Sequence, residues 1–285
     1  MAALWRFDAI GTRWEIETDE PLGAGARARV EALIRDFDET WSRFRPDSRV
    51  SVLAASGGRI PLPADADAML DVYRELSDAT DGAVNPLIGD ALARRGYDPE
   101  YSLVDRGAAI APPDWTAELT WDSAELHLRA AGTIDVGAVG KGRLVDRVLA
   151  CILPDAAGTV VVDAGGDLAV HGGPVRVGLE HPYDSDRAIG VIEVEDAALC
   201  ASATNRRAWG DGLHHVLDSR TGVPVRRIAA TWALAADALH ADAAATALFF
   251  EGGPELAARW GVEWVRMATD GRVEWSPAAR AEIFR

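Results

Sequence analysis

Residues 133–171 read TIDVGAVGKGRLVDRVLACILPDAAGTVVVDAGGDLAVH, and the hydrophobic period changes within this stretch. Ile134 ends an extended run, a glycine-rich turn follows, and Val139, Leu144, Val145, Val148 and Ile152 then fall on one face of a helix. Beyond Gly158 the pattern breaks into short apolar runs, TVVVDAGG and DLAVHG, separated by a Gly-Gly turn. More runs of the same kind follow, VRVGLE, IGVIEVE and AALCAS, mostly divided by Gly, Pro or Asp. One helix followed by several closely spaced strands is not strict βαβ alternation, so these residues predict an α+β fold with largely antiparallel sheets.

The flanks agree. WRFDAIGTRWEIET alternates bulky and polar residues around Gly11, as a hairpin does, and Val30, Leu33, Ile34, Phe37, Trp41 and Phe44 predict an amphipathic helix over about 25–44. A second helix is predicted over about 64–77, with Pro63 near its start and Met69, Leu70, Tyr73 and Leu76 on one face. Short strands are predicted at LTWD and ELHLRAAG, then at TWALAA, VEWVRMA and VEWS. No repeat or linker divides the chain, which reads as a single domain over 1–285.

Of the 285 residues 48% are hydrophobic, enough for a large core, and 45 acidic against 29 basic residues give a net charge of −16. Such a charge repels nucleic acid and anionic membrane surfaces. The opening MAALWRFDAIGTRWEIETDE lacks a cationic segment followed by an apolar run, which predicts a cytoplasmic protein without membrane insertion. Cys151 and Cys200 sit in apolar surroundings and are expected to be buried thiols.

Three places could carry chemistry. The turn from Asp135 to Gly142, DVGAVGKG, invites an anion at a helix start with Lys141 beside it. It is not a Walker A loop: Asp135 stands where the first glycine belongs, and Gly142 where Ser or Thr would hold magnesium. On pattern alone a plain strand-turn-helix is the first reading and an anion site the second. Asp242 and Thr246, in LHADAAATALFF, lie one helical turn apart and could both face a magnesium ion; a helix-start carboxylate and a threonine bonded back to its own helix give the same spacing. The adjacent His214 and His215 would point to opposite faces of a strand, so one of them at most enters a given pocket, where it could serve as a base.

Taken together, these pieces resemble the ApbE family of FAD:protein FMN transferases. AIGTRWEI is similar to M-G-T-x-W, SRFRPDSRVSVL to S-x-[FY]-x-P-x-S-x-x-S-x-L, and DGAVNPLIGDAL to F-D-P-T-V-G-P-L. TIDVGAVGKGRLVD is similar to D-L-G-x-I-A-K-G-x-x-V-D, VVDAGGDLAVHG to the N-A-G-G-D turn, HHVLDSRTGVPV to H-x-I-D-P-x-T-G, and ADAAATAL to A-D-A-x-x-T-A-L. All seven occur in the family's order.

The resemblance implies a compact T-fold-related unit that binds FAD as substrate. It also implies magnesium-dependent transfer of FMN, through its phosphate, to a Thr or Ser hydroxyl of an acceptor flavoprotein, with AMP leaving. By position it makes His215 the catalytic residue. Ile10, Phe44, Asn85, Pro86, Leu87, Asp135, Lys141 and Val216 would surround FAD, and Ala138 by its carbonyl, Asp242 and Thr246 would hold magnesium. Asp237 is left outside the metal shell, as a cap or a solvated carboxylate. The chain departs from the pattern at Ile10 for methionine, Phe44 for a frequent tyrosine, Asn85 and Leu87 for Asp and Thr, Ser202-Ala203-Thr204 for Thr-Ser-Gly, and Ser219 for proline. Hydrolysis of FAD to FMN and AMP, or FAD binding without catalysis, are the alternatives. Ser77-Asp78-Ala79-Thr80 is distantly similar to the acceptor sequence, which raises Thr80 as a site of self-modification.

Overall fold

The computed structural model describes residues 2–284. Its centre is an eight-stranded sheet in which spatial order follows chain order: Ala3–Ala9, Thr12–Thr18, Val160–Asp163, Asp167–His171, Ala197–Ala203, Ile228–Ala235, Glu263–Ala268 and Val273–Trp275. Every neighbouring pair is antiparallel. The α+β, antiparallel reading is therefore correct, and chain segments inserted between neighbouring strands supply the helices.

Both faces of this sheet are covered, and side chains divide between them with the period of two that a strand imposes. Trp14, Ile16, Val162, Ala169, Ala198, Cys200 and Ala233 face the helices, while Leu168, Val170, Leu199, Trp232 and Leu234 face a small sheet built from Val175–His181, Asp184–Val194 and Glu282–Ile283. Burial on both sides explains why IAATWALA at 228–235 reads as continuous apolar sequence rather than as alternation. Packed on the helical side are Ala24–Trp41, Ala66–Ala79, Gly140–Ile152 and Ala238–Ala247. The first two agree with the predicted helices to within three residues at each end. The helix Arg49–Ser56 escaped sequence reading, because eight residues carry barely two turns of period.

The opening hairpin turns at Ile10 and Gly11, both at positive φ (47° and 72°), the pair a two-residue type I′ turn requires. A β-branched residue there is strained, and Ile10 is held at the rim of the cavity described below. Cys151 and Cys200 are free thiols, Cys200 buried and Cys151 half-buried. Among the described residues no helix is long and apolar enough to cross a membrane.

Candidate active site

The site begins where two helices touch. The alanine helix, Ala238–Ala247, packs across the start of the Gly140–Ile152 helix, and Gly142 is the point of contact. A Cβ on Gly142 would overlap the Ala238 carbonyl oxygen and come within 2.7 Å of Asp242 Cβ, so no larger residue fits. Gly142→Ala is accordingly expected to lower stability by about 1–3 kcal/mol in thermal or urea unfolding, despite alanine's better helix propensity. The alanines opposite let the backbones approach, and two carboxylates organise the helix start: Asp146 accepts from the Ala238 and Leu239 N–H groups (2.7 and 2.9 Å), and Asp237 caps its own helix by accepting from His240 N–H (2.8 Å). Asp237 is thus the cap that its position suggested.

That contact carries Asp242 into a buried position, 2% exposed, where its Oδ2 accepts from Gly142 N–H at 3.0 Å. Burial raises the Asp242 pKa; Lys141, the Gly142 N–H and Arg207 oppose the rise. Thr246, one turn on, lines the same cavity, and among the described residues its hydroxyl makes no bond back to the helix. The cavity encloses about 770 Å³, within the ordinary range for small-molecule sites.

The preceding turn is held from within. Asp135 Oδ1 accepts from Gly137 N–H (2.7 Å), its Oδ2 from Arg43 Nε (2.5 Å), and its N–H donates to the Pro86 carbonyl (2.8 Å). Tyr73 donates its hydroxyl to the Asp135 carbonyl (2.9 Å) and accepts from Ala138 N–H (3.3 Å); burial keeps this phenol neutral by raising its pKa well above the usual value. Lys141 ion-pairs with Asp167, a wholly buried carboxylate whose Oδ1 has no partner among the described residues.

His214 ends the short strand Leu213–His214 and His215 lies in the bend just beyond it, so the two side chains part although only one of them is in a strand. His214 is fixed between the Val225 carbonyl (Nε2, 2.8 Å) and Val216 N–H (Nδ1, 3.3 Å). His215 lines the cavity with its Nδ1 buried and, among the described residues, without a partner. Burial first, then the cations around it, chiefly Arg207, push its pKa down to about 3, so the imidazole is neutral near pH 7. An unfolded histidine binds its proton near 6.5, so in the window from about 6.5 to about 3 the unfolded chain holds the extra proton and stability falls as pH falls. His215→Gln is expected to remove up to about 1.4 kcal/mol of that loss per pH unit. The check is to compare urea unfolding of the two proteins at pH 7 and pH 5.

Ten of the twelve residues nominated from sequence line this one cavity: Ile10, Phe44, Asn85, Asp135, Ala138, Lys141, His215, Val216, Asp242 and Thr246. Pro86 and Leu87 do not. Pro86 supports the Asp135 turn from behind, and Leu87 is buried in the main core, its N–H donating to Asn85 Oδ1 (2.8 Å). The Asn85 side chain is also engaged, donating to the Pro112 carbonyl (2.8 Å). Thr80 is buried, its hydroxyl donating to the Leu76 carbonyl and accepting from Val84 N–H, which leaves no exposed hydroxyl to modify.

Four residues were missed. Arg43 is buried against Asp135, with Phe44 4.1 Å and Tyr97 4.9 Å from its guanidinium, and its Nη2 has no partner among the described residues. Ser219 Oγ is likewise buried without a partner among the described residues, and Arg207 and the Lys141 partner Asp167 complete the polar surroundings. The only sequence signal for the arginines is that the SRFR and NRR runs concentrate positive charge in an acidic chain.

A model described as the ApbE family matches residues 10–265. An FAD:protein FMN transferase of Rhodobacter capsulatus is 27% identical over 301 residues, which cover 97% of this chain and 57% of that protein. The chain thus spans little more than half the length of that relative. An FAD:protein FMN transferase of Treponema pallidum (strain Nichols) is also 27% identical, over 80% of this chain and 71% of its own. Among solved structures, the ApbE protein of Thermotoga maritima superposes with a TM-score of 0.85 at 21% identity, over 97% of both chains. The flavin transferase ApbE of Vibrio cholerae superposes with 0.81 at 20% identity, over 98% of both, so the fold is shared.

Proposed function

Since the chain belongs to the ApbE family, we propose that it transfers FMN from FAD to a Thr or Ser hydroxyl of an acceptor protein, with magnesium, and releases AMP. The observation that carries this reading is the pairing in one cavity of a buried carboxylate, Asp242, with a buried neutral imidazole, His215.

The residues suit both ligands. Asp242, the Thr246 hydroxyl and the Ala138 carbonyl are hard oxygen donors from residues lining the one cavity, and magnesium fills its other positions with water or phosphate oxygens. When bound, magnesium would neutralise charge on the diphosphate. Six cationic side chains against four carboxylates line the cavity of a chain whose net charge is −16, so the local field favours an anionic dinucleotide. Phe44, Tyr97 and Tyr101, mutually in ring contact at 5.2–5.6 Å, form an apolar wall for a flat ring system.

In the proposed step the acceptor oxygen bonds to the flavin-side phosphorus and its proton passes to His215. The bond from that phosphorus to the bridging oxygen breaks, and AMP leaves with the electron pair. A neutral imidazole can accept a proton, and a bound diphosphate would offset Arg207 and Lys141, which add to burial in holding its pKa down. Tested directly, AMP release should require FAD, magnesium and an acceptor together. Equal release without the acceptor would make the activity a hydrolysis.

A further inference from the structure

Of the six cations lining the cavity, five already have a carboxylate oxygen within 4 Å. Arg13 pairs with Glu15 (3.8 Å), Arg43 with Asp135 (2.5 Å), Arg45 with Asp38 (3.2 Å), Arg206 with Glu180 (2.9 Å), and Lys141 with Asp167. Arg207 has no such partner among the described residues. Its guanidinium donates from Nη1 to the Tyr97 hydroxyl (2.6 Å) and lies 5.8 Å from the centroid of that ring. The phenol adds no negative charge, because burial keeps it protonated. Arg207 is therefore an arginine tied down by a neutral group at one nitrogen, with the other donors of its fork uncommitted, in a cavity it shares with His215 and Asp242. Its charge bears on both of them.

We propose that Arg207 is a further catalytic residue, donating to non-bridging oxygens of the phosphate being transferred. This rests on the transferase reading above. As the acceptor oxygen bonds to phosphorus, its proton goes to His215 and AMP leaves with the electrons of the broken P–O bond, negative charge gathers on the non-bridging oxygens. A planar fork matches two such oxygens. Among the described residues Arg207 is the one cavity cation with no carboxylate partner, so the rest of its fork can meet this charge, whereas Arg43 has only Nη2 uncommitted beside its pair with Asp135. Tyr97 fixes its direction, so little reorganisation is needed during the reaction.

The competing role is a latch that fastens the 204–212 loop to Tyr97. The two are separated by measuring flavin transfer to an acceptor protein bearing a threonine motif, at saturating FAD and magnesium, alongside melting temperature and magnesium-free FAD affinity. Arg207→Met is expected to lower kcat about 10²-fold with an unchanged melting temperature and an FAD affinity within about tenfold of wild type. Arg207→Lys, which keeps charge but not the fork, should lose about tenfold, and Tyr97→Phe less than Arg207→Met. The assignment is overturned if Arg207→Met keeps wild-type kcat, if its loss disappears as FAD is raised, or if Tyr97→Phe matches it in both rate and melting temperature. An inactive wild type would overturn the transferase reading and this assignment with it, whereas an active wild type with an unimpaired Arg207→Met overturns the assignment alone.

Discussion

Asp242→Asn is expected to lower flavin transfer by about 10³-fold or more, with the protein at least as stable as before. Asparagine is close to isosteric and can still accept from Gly142 N–H, so the helix contact survives. What disappears is the anionic oxygen proposed to hold magnesium, and charge stabilisation of several kcal/mol on a reacting diphosphate corresponds to three or more powers of ten in rate. The stability forecast has the opposite sign for a definite reason. Burial raises the Asp242 pKa, so keeping the carboxylate ionised at neutral pH costs folding free energy, and the amide removes that cost. A variant that melts no lower yet transfers no flavin would identify Asp242 as a group kept for function. Thermal unfolding and magnesium titration of the same preparation give both answers.

His215→Ala carries the second large effect, a loss of about 10²–10⁴-fold in transfer at saturating FAD and magnesium, the usual contribution of a positioned general base. FAD binding without magnesium should change little, because the imidazole is proposed to act on the acceptor hydroxyl and not to hold the dinucleotide. His214→Ala is the informative partner. It removes the bond to the Val225 carbonyl and should cost stability, by about 1 kcal/mol or somewhat more, while sparing most of the chemistry. If the two variants lost activity equally at equal stability, the division of labour between neighbouring histidines would be refuted.

Much of this arrangement is legible in the sequence, and what is not has physical causes. Period-two runs separated by Gly and Asp gave the antiparallel sheet, and apolar spacing gave the longer helices to within three residues. The glycine turn 135–142 stayed ambiguous between an anion site and a bland connection because the contacts that shape it lie far along the chain: Gly142 is small on account of Ala238 and Asp242. Expected alternation limits His214 and His215 to one pocket residue, and one alone lines the cavity although His215 lies past the strand end, but which one depends on the location of the cavity. Pro86 and Leu87 were nominated as positions within a family motif near FAD contacts, and such a carry-over does not tell which way a side chain points. Arg43, Asp167, Arg207 and Ser219 lie in turns, in loops or at a strand end, where no period marks them, and their roles come from partners distant in sequence or from having none.

The central proposal is transfer of FMN rather than mere binding or hydrolysis of FAD, and one measurement addresses it most directly. The protein is incubated with FAD, magnesium and an acceptor protein bearing a threonine motif, and flavin fluorescence is read on the acceptor band of a denaturing gel. The wild-type chain is predicted to label the acceptor only when FAD and magnesium are both present, and Asp242→Asn and His215→Ala to leave it dark. An acceptor that stays dark with the wild type, or one labelled equally by all three proteins, would contradict the account.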